Sequence, residues 1–217
     1  MISQHTCTPV GETHVSPTVY IGRSVDNAIR SAPRLAQGLI VKQLSRTLAS
    51  LALQDASHTS SIRLAHTASG QPYGEPGKGQ PKVPLSISHS GPWAAVACAA
   101  HPVGIDLQVY RGFSAGAQQH IFCDKAKPAS VVTQTARWSV CEAYLKSFGR
   151  GLPFDLSDIA IQKYNTSGTT EYGRVYTHSA SLAPASYWLW HTLYFCCAVC
   201  IAGDWDITPT LSLHIGK

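Results

Sequence analysis

Charge is scarce in this chain. Asp, Glu, Lys and Arg make up 13% of its residues, too few and too scattered to form a basic block for a nucleic-acid backbone. No secretory leader is expected from the first residues, since "MISQHTCTPVGETH" has neither a basic stretch nor an apolar one. Nor is there an uninterrupted apolar run of membrane-spanning length. The longest, "YWLWHTLYFCCAVCIAG" at 187–203, carries His191 and Thr192 and is too short. The seven cysteines are odd in number and mostly lie within apolar stretches, so they read as reduced core thiols of a cytoplasmic protein.

What is present is an ordinary globular composition. A 44% apolar content with little charge excludes a disordered chain. A length of 217 residues allows one large domain or two small ones, with room for a proper core. The net charge of +5 is mild. It favours a small polyanion such as a nucleotide, or an acidic protein partner.

Residues 1–20 read as an irregular or strand-containing lead. Leu35, Leu39, Ile40, Leu44, Leu48 and Leu51 recur at three and four, which predicts a helix from about Pro33 to Leu53. The Gly- and Pro-dense stretch 66–84 reads as loop. "LSISHSGPWAAVACAA" predicts two strands around a Gly91-Pro92 turn, with "VGIDL" extending or following the second. Residues 113–148 read as helical, most strongly from Val131, with Gly149 and Gly151 ending the run. Short antiparallel strands fill the remainder to about residue 205. Each half thus runs helix, extended segment, loop, strand pair. This predicts an α+β fold of two similar lobes, with a ligand in the cleft between them. The division falls at 1–103 and 104–217 within one structural unit.

Taken singly, the polar residues permit plain readings. Asp106 can be a strand-end acid facing water. Glu142 and Lys146, at i and i+4 on one helix face, can be a solvated ion pair. Ser88-His89-Ser90 can be a polar turn, and no G-x-S-x-G frames a serine nucleophile. Cys196, Cys197 and Cys200 alternate faces along a strand, which favours core packing over a metal site.

Taken in order, "SISHSGPWAAVA" (86–97), "VGIDLQ" (103–108) and "RWSVCEAYLKSFGRGL" (137–152) form a more specific set. Together they resemble the 4′-phosphopantetheinyl transferases of the Sfp type, which show a Ser-His-Ser strand, a G-[IV]-D strand end and an E-[AS]-x-x-K helix at about this spacing. "RSAPRLAQGLIVKQL" (30–44) resembles that family's first helix, and "SGQPYG" (69–74) sits where a Gly-Lys-Pro loop is usual. The resemblance spans roughly residues 20–203. It implies a pseudo-twofold fold with the active site between the lobes. It also implies Mg2+-dependent transfer of 4′-phosphopantetheine from coenzyme A to a serine of an apo acyl or peptidyl carrier protein, with adenosine 3′,5′-bisphosphate released.

Under the resemblance, Asp106, Glu142 and Lys146 are the catalytic set. Asp106 and Glu142 hold Mg2+ (Mn2+ being the alternative), with Gln108 as a third, weaker ligand. Lys146 faces the pyrophosphate. Ser88, His89, Arg34, Arg30 and Arg23 contact coenzyme A, and Arg34 is the best aligned for the 3′-phosphate. A monomer is implied, without a nucleic-acid or membrane partner. Three positions depart from the family: Gln108 stands where many relatives have an acid, while Cys141 and Gln71 stand where lysines are usual. Lys78 and Lys82 are candidates to replace the loop cation. The departures motivate a second reading, a non-catalytic relative that binds coenzyme A or a carrier. A third is an unrelated Mg2+-dependent phosphohydrolase that uses the same two acids.

Overall fold

The computed structural model describes residues 17–24, 34–56, 62–122, 130–151, 153–203 and 209–215. Its first half runs strand β1 (Thr18–Arg23), helix α1 (Arg34–Ala56), then strands β2 (Arg63–His66), β3 (Pro72–Glu75), β4 (Val83–Ser90) and β5 (Trp93–Cys98). The second half opens with strand β6 (Val103–Val109) and helices α2 (Ala115–Phe122) and α3 (Val131–Ser147). Strands β7 (Ile159–Ser167), β8 (Thr170–Thr177), β9 (Ala185–His191) and β10 (Phe195–Ala202) follow, and β11 (Thr210–Ile215) comes last.

The repeat expected from the sequence is a repeat of topology. The first sheet has the order β11-β1-β5-β4-β3-β2, and the second β6-β10-β9-β8-β7. Set β11 aside and the two orders are the same, strand for strand. Each lobe starts with a strand, crosses through a helix and returns as an antiparallel four-strand meander that places its last strand against the first. The extra strand β11 pairs parallel to β1, so this late segment joins the sheet built from the first half.

Alternation along the strands sorts the core into three layers. Tyr20, Leu85, Ala94, Val96 and Cys98 face α1 and pack on its Val41, Leu48 and Leu53. On the opposite face, Val19, Ile21, Ala95 and Ala97 meet Val103, Ile105, Leu107, Val199 and Ile201 of the second sheet. The far side of that sheet packs Tyr187, Leu189, Cys196 and Cys200 against Val140, Tyr144 and Leu145 of α3. The molecule is therefore helix, sheet, sheet, helix. Cys98, Cys141, Cys196, Cys197 and Cys200 are all free and buried, as core thiols should be.

Two readings are corrected. The stretch 66–84 is not all loop, because β3 lies within it. This strand is only four residues long, and its Gly74 has no room for a side chain: a Cβ there would stand 2.4 Å from Leu53. Composition flagged the glycine but not the close approach that requires it. The other correction is β11: its six residues alternate polar and apolar as a strand does, beyond the last strand read from the sequence. Residues 123–129, read as helical, lie outside the described residues. Among the described residues no helix is long and apolar enough to cross a membrane.

Candidate active site

The site begins at Gly104. A Cβ on that residue would lie 1.9 Å from the Ala143 carbonyl oxygen and 2.5 Å from the Ser147 amide nitrogen. Glycine therefore lets α3 settle directly on β6. On the same strand face, two residues further on, stands Asp106. Helix α3 brings Glu142 and Lys146 to it on consecutive turns.

Asp106 does not face water; it is 5% exposed. Its Oδ1 accepts from Lys146 Nζ at 2.8 Å and from Ser88 Oγ at 2.9 Å. Lys146 Nζ also donates to the Ile105 carbonyl at 3.2 Å. So the lysine's carboxylate partner is Asp106, not Glu142 one turn before it on α3. The solvated helix pair that the spacing permits is not what forms.

Glu142 is half-buried, and burial raises its carboxyl above the ordinary range. The charge of Asp106 raises it further, while Lys146 opposes both effects. The two acids therefore meet closely enough to repel. Each keeps one buried oxygen, Asp106 Oδ2 and Glu142 Oε1, without a hydrogen-bond partner. Unpartnered buried carboxylate oxygens are costly. A hard divalent cation would satisfy such a pair, and Mg2+ commonly takes only one or two carboxylates, completing its octahedron with phosphate and water. Among the described residues no group of three or more His, Cys, Asp or Glu gathers for a metal.

Ser88 belongs to a ladder that the sequence reading missed. Ser86, Ser88 and Ser90 alternate along β4 and face the open edge of β6. Their hydroxyls accept the amides of Ile105, Leu107 and Val109, each at 3.1 Å. The period-two serines were the available signal. Ser88 thus performs two tasks, tying the sheets together and holding Asp106.

The remaining candidates fall in several places. His89 is exposed on the opposite face of β4 from Ser88, the face whose Leu85 and Ile87 pack towards α1. Arg23 ends β1, with its guanidinium 5.5 Å from the centroid of the Trp93 ring. Its Nε is buried without a hydrogen-bond partner. Arg34 is the first residue of α1, and Arg30 lies outside the described residues.

Gln108 continues the row of Gly104 and Asp106 on β6 and is buried. With the amide turned so that its oxygen faces Arg111, that oxygen accepts from the arginine's Nε at 3.1 Å and from a terminal nitrogen at 3.2 Å. Cys141 is fully buried against the core, its thiol pushed up to about 12 by burial. Gln71 reaches the end of α3, where a Cβ on Gly149 (φ +63°) would lie 2.6 Å from its Oε1. Lys82 stands 4.2 Å over the Tyr73 ring, and Lys78 is exposed in the β3–β4 connection.

No family model matches the chain. Two curated proteins are similar to part of it. One is the 4′-phosphopantetheinyl transferase gsp of Aneurinibacillus migulanus, 28% identical over 90 residues, which cover 38% of each chain. The other is the 4′-phosphopantetheinyl transferase ffp of Bacillus subtilis, 27% identical over 104 residues, 43% of this chain and 46% of that one. The chain thus spans less than half the length of the curated relatives it matches. Both carry the name of the family that the three motifs resemble.

Proposed function

We propose that this protein transfers the 4′-phosphopantetheine group from coenzyme A to a serine hydroxyl of an apo acyl or peptidyl carrier protein, releasing adenosine 3′,5′-bisphosphate. The observation that carries the reading is the Asp106–Glu142 pair: two buried, unpartnered carboxylate oxygens from different elements, with Lys146 beside them. The similarity to two proteins named as such transferases supports the same chemistry.

In this reading the serine oxygen attacks the β-phosphorus, and the bond from that phosphorus to the bridging oxygen breaks. The leaving adenosine bisphosphate keeps the electron pair. Asp106 and Glu142 would hold Mg2+, which neutralises the diphosphate when bound. Mn2+ suits the same oxygen donors. Ser88 holds the Asp106 carboxylate in place. Lys146 spans Asp106 and the open edge of β6, where its charge can also meet the departing phosphate oxygen. The serine proton would pass to the carboxylate oxygen of Glu142 that the metal leaves free. Arg23, with its unpartnered buried Nε, His89 and Arg34 are assigned to the phosphate and adenosine end of coenzyme A. Both lobes come from one chain, so a single copy supplies the whole site and the protein acts as a monomer. A cytoplasmic location suits these substrates.

The test is mass spectrometry of several apo carrier proteins mixed with the protein, coenzyme A and Mg2+. A carrier should gain one phosphopantetheinyl group. Asp106→Ala and Glu142→Ala should each lower the rate about 100-fold or more. No gain on any carrier, with coenzyme A still bound, would leave the non-catalytic reading. Adenosine bisphosphate released without a carrier would indicate a hydrolase.

A further inference from the structure

A diphosphate carries more negative charge than Lys146 can meet while it is committed to Asp106. The position next to Glu142 offers no help, because Cys141 is fully buried and its side chain lies in the core. With the charge of any Mg2+ largely offset by Asp106 and Glu142 themselves, a further cation beside the site would serve a diphosphate.

We infer that Arg111, held by the Gln108 amide, is a diphosphate-binding residue of this site. The inference rests on the coenzyme A reading above. Gln108 and Asp106 lie two residues apart on one strand face, about 7 Å along β6. Arg111 is exposed, yet two of its five N–H donors converge on the single buried amide oxygen of Gln108. That grip uses one edge of the guanidinium and leaves three donors on the planar fork, a geometry suited to phosphate oxygens. The backbone beneath is fixed as well, since the Tyr110 amide donates to the Tyr194 carbonyl at 3.1 Å.

The chemistry of residue 108 follows. A carboxylate there would orient Arg111 equally well but would cancel its charge. An amide oxygen orients it and leaves the positive charge intact. Gln108 and Arg111 thus form a matched pair, with Gln108 as positioning residue and Arg111 as the group that meets substrate.

Calorimetric titration of the full chain separates the outcomes, using coenzyme A and adenosine 3′,5′-bisphosphate as probes, first in EDTA and then in Mg2+. The bisphosphate lacks the second phosphate of the diphosphate. Arg111→Gln should weaken coenzyme A roughly ten-fold, the scale of a lost charge-assisted contact, and the bisphosphate much less. Arg111→Lys should recover part of the loss. Gln108→Glu in EDTA should weaken coenzyme A by a similar factor, because the new acid neutralises Arg111. Losing Arg111 leaves the buried Gln108 oxygen unmet, so a modest drop in Tm is expected, and the readout is the difference between the two probes on the same folded variant. Wild-type coenzyme A affinity in Arg111→Gln, or equal losses on both probes, overturns the inference and leaves the transferase reading standing. So does Gln108→Glu binding coenzyme A in EDTA as tightly as wild type or more tightly. A wild-type protein that binds neither probe overturns the transferase reading and the inference with it.

Discussion

At the scale of single residues, Glu142 works against the fold. Its carboxyl has a raised proton affinity in the folded state, first from burial and then from Asp106. Between the ordinary glutamate value of 4.5 and the raised folded value, the folded protein binds more protons than the unfolded one. Stability should therefore fall as pH rises through that window. Glu142→Gln removes the charge and keeps the shape, so at neutral pH it should raise Tm by about 2–4 °C while abolishing transfer. The pH slope in that window should flatten in the variant. An unchanged or lower Tm, measured by calorimetry in EDTA, would show that Glu142 is not strained by its neighbour. Asp106, Glu142 and Lys146 were legible in the sequence because their spacing matches a three-part motif. That Lys146 would pair with Asp106 was not. Helical periodicity joins Lys146 to Glu142, whereas the folded lysine turns to Asp106, forty positions away, because α3 lies flat on Gly104.

At the scale of elements, the joint between β4 and β6 divides stability from chemistry. Ser86 only accepts the Ile105 amide from that strand, whereas Ser88 accepts the Leu107 amide and also donates to Asp106. Ser86→Ala and Ser88→Ala should each cost about 1–3 kcal/mol, the penalty for leaving a buried amide unmet. Ser88→Ala alone should also lower turnover several-fold, and it should raise the Mg2+ concentration needed for half-maximal rate. Equal kinetic effects of the two changes would show that the serines act only as fasteners. Most elements could be read from periodicity: α1, α3, the Gly91-Pro92 hairpin and the later strands all carry it. The serine ladder left only the period-two spacing of its serines. The stretch 86–90 looks like an ordinary strand end, and its meaning depends on which edge the other lobe presents.

At the scale of the whole molecule, the two lobes repeat one strand order but protect their first strands differently. The open edge of β6 is met by three hydroxyls, whereas β1 is met by a whole strand, β11, on the side away from β5. The lobes were legible because the order of helices and strands repeats along the chain. The origin of β11 was not, because nothing local in six residues records a partner almost a full chain length away. A chain ending at residue 208 should fold both lobes but leave the apolar "TVYIGR" strand with a bare edge. Light scattering should then show more self-association than in the full chain; a truncated chain that scatters as the full chain does, with unaltered Tm, would argue that β11 seals nothing. The same pairing sets a timetable for biosynthesis. At translation rates of about 5–20 residues per second, β1 is synthesised roughly 10–40 s before β11. For that interval the nascent first lobe carries an unpaired strand. This is the period in which a chaperone, or a neighbouring nascent chain on the same message, can reach it.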